Sequence, residues 1–123
     1  MECRLTSSTT PWECRLSIRW EYDQSNKPLD HVQEVPFGRL INDPEDVEIF
    51  IRRAQSATLN PHEASESFLR MTREDLAAHA ERDKLRFSRN VICLDISGPG
   101  LTDLSFIDLP GKSAMLTNLT YTF

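Results

Sequence analysis

The chain has 123 residues, 39% of them hydrophobic, a formal charge of −5 and a mean hydropathy of −0.43. That is enough for one small domain with a modest core. The acidic balance and the lack of a basic stripe argue against nucleic acid as a partner, because a phosphate backbone calls for a basic face.

Apolar runs such as Val91 to Leu94 are far too short to cross a bilayer. The start, Met1-Glu2-Cys3-Arg4-Leu5, lacks the apolar stretch of a secretory signal, so a cytoplasmic protein is expected. Cys3, Cys14 and Cys93 are odd in number and form no C-x-x-C pair. They read as reduced, partly buried thiols, not as a zinc site or a disulfide framework.

In chain order, Cys3 to Thr6 reads as a short strand and Ser7 to Pro11 as a turn-rich link. Cys14, Leu16, Ile18 and Trp20 then alternate with Arg15, Ser17 and Arg19, the pattern of a half-buried strand. Asp23 to Pro36 is polar, contains Pro28 and Pro36, and reads as a surface loop.

The next element is a helix from Asp43 to Leu59. Asp43 can cap it, Pro44 suits its first turn, and Glu45 and Asp46 suit the positive end of the dipole. Val47, Phe50, Ile51 and Ala54 recur at helical spacing and form one apolar stripe. Asn60-Pro61 stops the helix. A second helix is expected from Thr72 to about Lys84, with Thr72 and Asp75 at capping-box spacing. Its apolar face, Leu76, Ala77 and Ala80, is thin.

Val91 to Ile96 is a strand rich in branched residues, followed by the turn signal Ser97-Gly98-Pro99-Gly100. Leu104 to Ile107 is a second apolar strand. The connection is too short for a helical crossover, so the two are expected to be antiparallel neighbours.

The second strand runs into Asp108-Leu109-Pro110-Gly111. A bare D-x-x-G occurs by chance in roughly one chain in two of this length, and requiring Pro before the Gly cuts that to about one in forty. At the end of a buried strand the residue types suit a nucleoside triphosphate. An Asp there is rigidly placed and can hold magnesium, directly or through water, while phosphates supply other ligands. A Gly lets the backbone approach the terminal phosphate and donate its N–H. The same four residues also make an ordinary strand-ending turn.

The stretch from Phe87 to Gly111, with Val91-Ile92-Cys93-Leu94-Asp95-Ile96-Ser97-Gly98-Pro99-Gly100 leading to Ile107-Asp108-Leu109-Pro110-Gly111, resembles the dynamin superfamily of large GTPases, in its Mx-like branch. In that family such a strand, turn and strand carry the third GTP-binding motif and start the second switch. Met1 to Tyr22 is similar to the family's region after the first switch, and Asp43 to Leu59 to the segment before the hairpin. The fold implied is α/β: an incomplete P-loop GTPase domain with an antiparallel hairpin and one or two helices. Residues 1–111 would be the domain fragment and 112–123 an atypical tail. The resemblance implies GTP and magnesium as ligands, with Asp108 on the metal and Leu109, Pro110 and Gly111 at the nucleotide. It also implies GTP hydrolysis coupled to self-association and to membrane remodelling or Mx-like assembly.

Within the 123 residues neither a P-loop G-x-x-x-x-G-K-S/T nor a guanine-reading T-K-x-D occurs. Gly111-Lys112-Ser113 does not complete a P-loop, because Phe106 stands where the first Gly is required. These residues alone are therefore expected neither to bind nor to hydrolyse GTP, and no catalytic residue is assigned in them. Two other readings fit the sequence: a non-catalytic interaction module of GTPase origin, and an unrelated small α+β binding domain. His31, His62 and His79 show no ligand spacing and read as solvated side chains. Trp12 and Trp20 read as packing residues. Arg70, Arg73, Glu74, Asp75, Glu81, Arg82, Asp83 and Lys84 read as a solvated helix face.

Overall fold

The computed structural model describes residues 1–107. The Asp108–Gly111 motif and the tail 112–123 lie outside the described residues.

The strands are β1 (Glu2–Ser7), β2 (Glu13–Tyr22), β3 (Pro28–Pro36), β4 (Val91–Gly98) and β5 (Leu104–Ile107), in one sheet of order β3-β2-β4-β1-β5. β2 runs antiparallel to both β3 and β4, β1 runs parallel to β4, and β5 runs antiparallel to β1. The helices are α1 (Val47–Leu59), entered through a 3-10 turn over Pro44–Asp46, and α2 (Arg73–Ala80). A second 3-10 turn, Ser65–Phe68, lies between them.

The alternation in β2 is what sorts the sheet into two faces. Cys14, Leu16 and Ile18 are buried and join Cys3, Ile92, Leu94 and Ile96 of the neighbouring strands in one core. The apolar stripe of α1 covers that face, with Val47, Phe50, Ile51 and Ala54 all buried. Trp12 and Trp20 pack against the same cluster. The three cysteines are buried free thiols, more enclosed than the partial burial expected of them.

Asp43 caps the helical segment, its carboxylate accepting from the Glu45 N–H at 3.0 Å. Asn60 ends it and is itself fully buried. The Thr72/Asp75 capping box forms in both directions: the Asp75 N–H donates to Thr72 Oγ1 at 3.1 Å, and the Thr72 N–H donates to Asp75 Oδ2 at 3.0 Å.

Three expectations are corrected. Only residues 23–27 make a loop of the stretch read as one. There Asp23 accepts from the N–H groups of Ser25 and Lys27, and Asn26 takes a φ of +64°. Pro28–Pro36 is a strand. It is the outer strand on that side and is exposed almost throughout, so neither face needed apolar residues, and proline at its two ends is tolerated at an edge.

β4 and β5 are not neighbours either, although they do run in opposite directions. β1 lies between them. Residues 99–103 can span roughly 16 Å when extended, while stepping across one intervening strand needs roughly 10 Å. The short connection therefore excludes a helix but not an inserted strand.

In α2 the buried side chains are Leu76 and His79, while Ala77 and Ala80 are exposed. The histidine supplies the second contact of a face too thin to dock on one leucine.

Candidate functional site

The D-L-P-G residues lie outside the described residues, and in the sequence they follow β5, whose register is defined. Glu2 stands opposite Ile107, Cys3 opposite Phe106, Arg4 opposite Ser105 and Leu5 opposite Leu104. β1 therefore enters the sheet at the end where β5 leaves it. The other end of the pair is fixed by Asp103, whose carboxylate accepts from the Ser7 N–H at 2.7 Å. Among the described residues no strand pairs with the outer edge of β5.

The sheet face away from the helices is polar. Arg15, Ser17 and Arg19 of β2, Asp95 of β4, and Glu2 and Arg4 of β1 lie on it by register. A sheet covered by helices on both faces carries near-continuous apolar strands, so this part of the sheet is built to be covered on one side.

The face is organised by ion pairs. Arg19 Nη1 donates to Glu2 Oε2 at 2.6 Å, and Arg19 Nη2 lies 3.2 Å from Glu34 Oε1 on β3. Arg4 pairs with Asp95 at 3.4 Å, more exposed than the first pair. The Arg19 hydrogen bond holds the Glu2 carboxyl below its ordinary 4.5, against a smaller opposing effect of burial. The same bond raises the guanidinium of Arg19. Beneath these groups burial pushes the Cys93 thiol up to about 11, so it is no ready nucleophile. Burial likewise pushes Cys3 to about 11 and Cys14 to about 12.

A second polar cluster joins the end of α1 to the turn after α2. Asn60 Nδ2 donates to the Ser56 carbonyl and to Asp83 Oδ1, both at 2.9 Å, and Asn60 Oδ1 accepts from the Lys84 N–H at 3.0 Å. His79, expected to be solvated, is buried: Nε2 lies 2.9 Å from Glu63 Oε2 and Nδ1 lies 3.5 Å from Asp83 Oδ1. Its ring meets Phe68 edge-on, with centroids 5.1 Å apart. The two carboxylates face different ring nitrogens and do not converge on one point. Among the described residues no group of three His, Cys, Asp or Glu side chains could hold a metal ion, and no helix is long and apolar enough to cross a membrane.

Of the sequence candidates, then, Asp108, Leu109, Pro110 and Gly111 all lie outside the described residues. The Glu2–Arg19–Glu34 chain and the Asn60–Asp83 network were not singled out by sequence. The one trace of the former is the charge on the polar positions of β2. Comparison with protein-family models, with curated proteins and with solved structures finds no match to this chain. What the fold defines is a small mixed α/β domain with helices on one face of its sheet.

Proposed function

We propose that these residues belong to a dynamin-type GTPase domain and form its part from the strand after the first switch through the D-L-P-G motif. The observation that carries this reading is the β1–β5 pair. Glu2 opposite Ile107 makes one corner of the sheet both the entrance to β1 and the exit of β5. In the family, a magnesium-holding threonine precedes the first strand and the metal-holding Asp follows the second. On this reading both would converge at that corner, with Asp108 supplying the carboxylate and Gly111 the N–H for the terminal phosphate.

A further observation supports it. The outer edge of β5 is open among the described residues, and the family places the strand that leads into its P-loop beside this one. The polar face of β2, β4 and β1 fits a one-sided extension of a larger sheet. Hydrolysis in such a domain resets the switch that begins at Asp108, and the assembly on membranes or particles typical of the family would follow from that switch.

The P-loop contributes the backbone cradle and the lysine for the phosphates. The 123 residues contain no such loop and alone bind no GTP on this reading. Calorimetric titration tests it with two polypeptides. A chain that extends this sequence upstream of Met1 through a P-loop takes up magnesium-GTP saturably, and the 123 residues do not. Saturable binding by the 123 residues, or none by the extended chain, would overturn the proposal.

A further inference from the structure

An arginine stands two residues before a serine or threonine at four places: Arg4 and Thr6, Arg15 and Ser17, Arg70 and Thr72, Arg86 and Ser88. A basic side chain at that spacing is what a Ser/Thr kinase with an acidic substrate groove selects, by charge complementarity. The fold withdraws three of the four. Thr6 and Ser17 lie inside β1 and β2, paired with Ser97 and Cys93 of β4. The Thr72 hydroxyl accepts from the Asp75 N–H in the cap of α2. Laying any of these out in a kinase groove means opening a strand ladder or a helix end. Ser88 differs. It lies between α2 and β4, and among the described residues no backbone-to-backbone hydrogen bond ties residues 86–89. The half-buried Ser88 is held by a single bond, its Oγ accepting from the Asn90 N–H at 3.0 Å. Its neighbours Arg86, Phe87 and Arg89 are exposed, Phe87 to 68%.

The same segment is basic in an acidic chain. Arg82, Lys84, Arg86 and Arg89 are all exposed, against a net charge of −5. We propose that Ser88 is a phosphorylation site for an arginine-directed Ser/Thr kinase, and that the phosphoserine docks on Arg86 and Arg89. In that step Ser88 Oγ bonds to the γ-phosphorus of magnesium-ATP, its proton passes to a carboxylate of the kinase, and the bond to the departing ADP breaks. The product carries a charge of about −1.5 to −2 and three acceptor oxygens. Arg86 and Arg89 flank it in sequence, and the Arg89 guanidinium lies 5.5 Å from the centre of the Tyr22 ring, beside the end of β2. A phosphate oxygen can also take over the Asn90 N–H. Asn90 is itself fixed, its Oδ1 accepting from the N–H groups of Glu21 and Tyr22 at 2.7 and 2.9 Å. Phosphate on Ser88 thus ties a segment without backbone bonds of its own to the junction of β2 and β4. None of this depends on the GTPase reading.

The experiment treats the native 123-residue chain with the catalytic subunit of a cAMP-dependent protein kinase and magnesium-ATP, and maps the product by mass spectrometry. The expected product carries about one phosphate per chain, on Ser88. Ser88→Ala should abolish its formation. Arg86→Ala, a change at an exposed side chain, should slow it at least about tenfold, while Arg70→Ala should leave the rate unchanged. Amide hydrogen exchange on the modified protein should slow at least about threefold over residues 86–89, because the docked phosphate orders them. Phosphate appearing on Thr6, Ser17 or Thr72 in place of Ser88 would overturn the inference. So would incorporation that needs prior denaturation in urea, an undiminished rate in Arg86→Ala, or unchanged exchange over residues 86–89 in the phosphorylated chain.

Discussion

Arg19 Nη1 lies 2.6 Å from Glu2 Oε2, although a whole strand separates β2 from β1. The bond holds the Glu2 carboxyl below its ordinary 4.5. A carboxyl depressed in the folded state adds stability above its unfolded value and loses it as pH falls through the folded one. Folding stability should therefore decline below pH 4.5, and Glu2→Gln should flatten that decline. Urea melts of both proteins across the acid range check this. Parallel curves for the two would show that the pair adds nothing.

Phe50 is buried in the stripe of α1, with the guanidinium groups of Arg39 and Arg53 over its ring at 5.1 and 5.4 Å. Phe50→Ala removes a core aromatic ring and should cost about 3–5 kcal/mol. Arg52, exposed on the same helix and paired with Glu48 at the surface, should cost less than about 0.5 kcal/mol as alanine. Denaturant melts of the two variants test the register of the helix. Equal losses would contradict it.

Asn60 is fully buried, and its side chain makes three hydrogen bonds to groups on both sides of the helix pair. Asn60→Ala leaves those partners short of bonds in a covered site and should cost more than about 2 kcal/mol. Lys84 takes part through its backbone N–H, so Lys84→Ala should be nearly silent. Thermal melts that rank the two variants the other way round would refute the network.

Burial raises the thiols of Cys3 and Cys93 from 9.0 to about 11 and that of Cys14 to about 12. A group raised on folding supports the fold fully below its unfolded value and loses that support as pH rises through the folded one. Stability should accordingly fall from pH 9.0 towards about 11. Native protein at pH 8 should react slowly with a thiol reagent, and denatured protein should yield all three thiols at once. Rapid labelling of the native protein would contradict the burial.

Where the physics is local, the sequence already carried the structure. The alternation of Cys14, Leu16 and Ile18 and the stripe Val47, Phe50, Ile51 and Ala54 each mark one buried face, and both faces are buried as expected. β3 was not legible, because an exposed outer strand has no buried face to leave a pattern. The order of β4, β1 and β5 was not legible either. It is decided by pairing between residues about ninety apart, as in Cys3 opposite Leu94, and a short connection between β4 and β5 fits either arrangement. The helix α2 concealed its second contact, since His79 reads as a solvated residue until Glu63, Asp83 and Phe68 surround it. For the candidate site, the D-L-P-G motif was legible as a motif and lies outside the described residues, while the Glu2–Ile107 register of the strand before it is encoded by no local pattern.

The central claim is the proposed one, that Asp108 is the metal-holding carboxylate of a GTPase. Its most direct test is magnesium-dependent GTP hydrolysis by a chain extended upstream through a P-loop, compared with the same chain carrying Asp108→Ala. The account predicts hydrolysis by the first and a loss of at least about a hundredfold in the second, because a metal-holding carboxylate stabilises charge in the transition state. Undiminished hydrolysis after Asp108→Ala would contradict it.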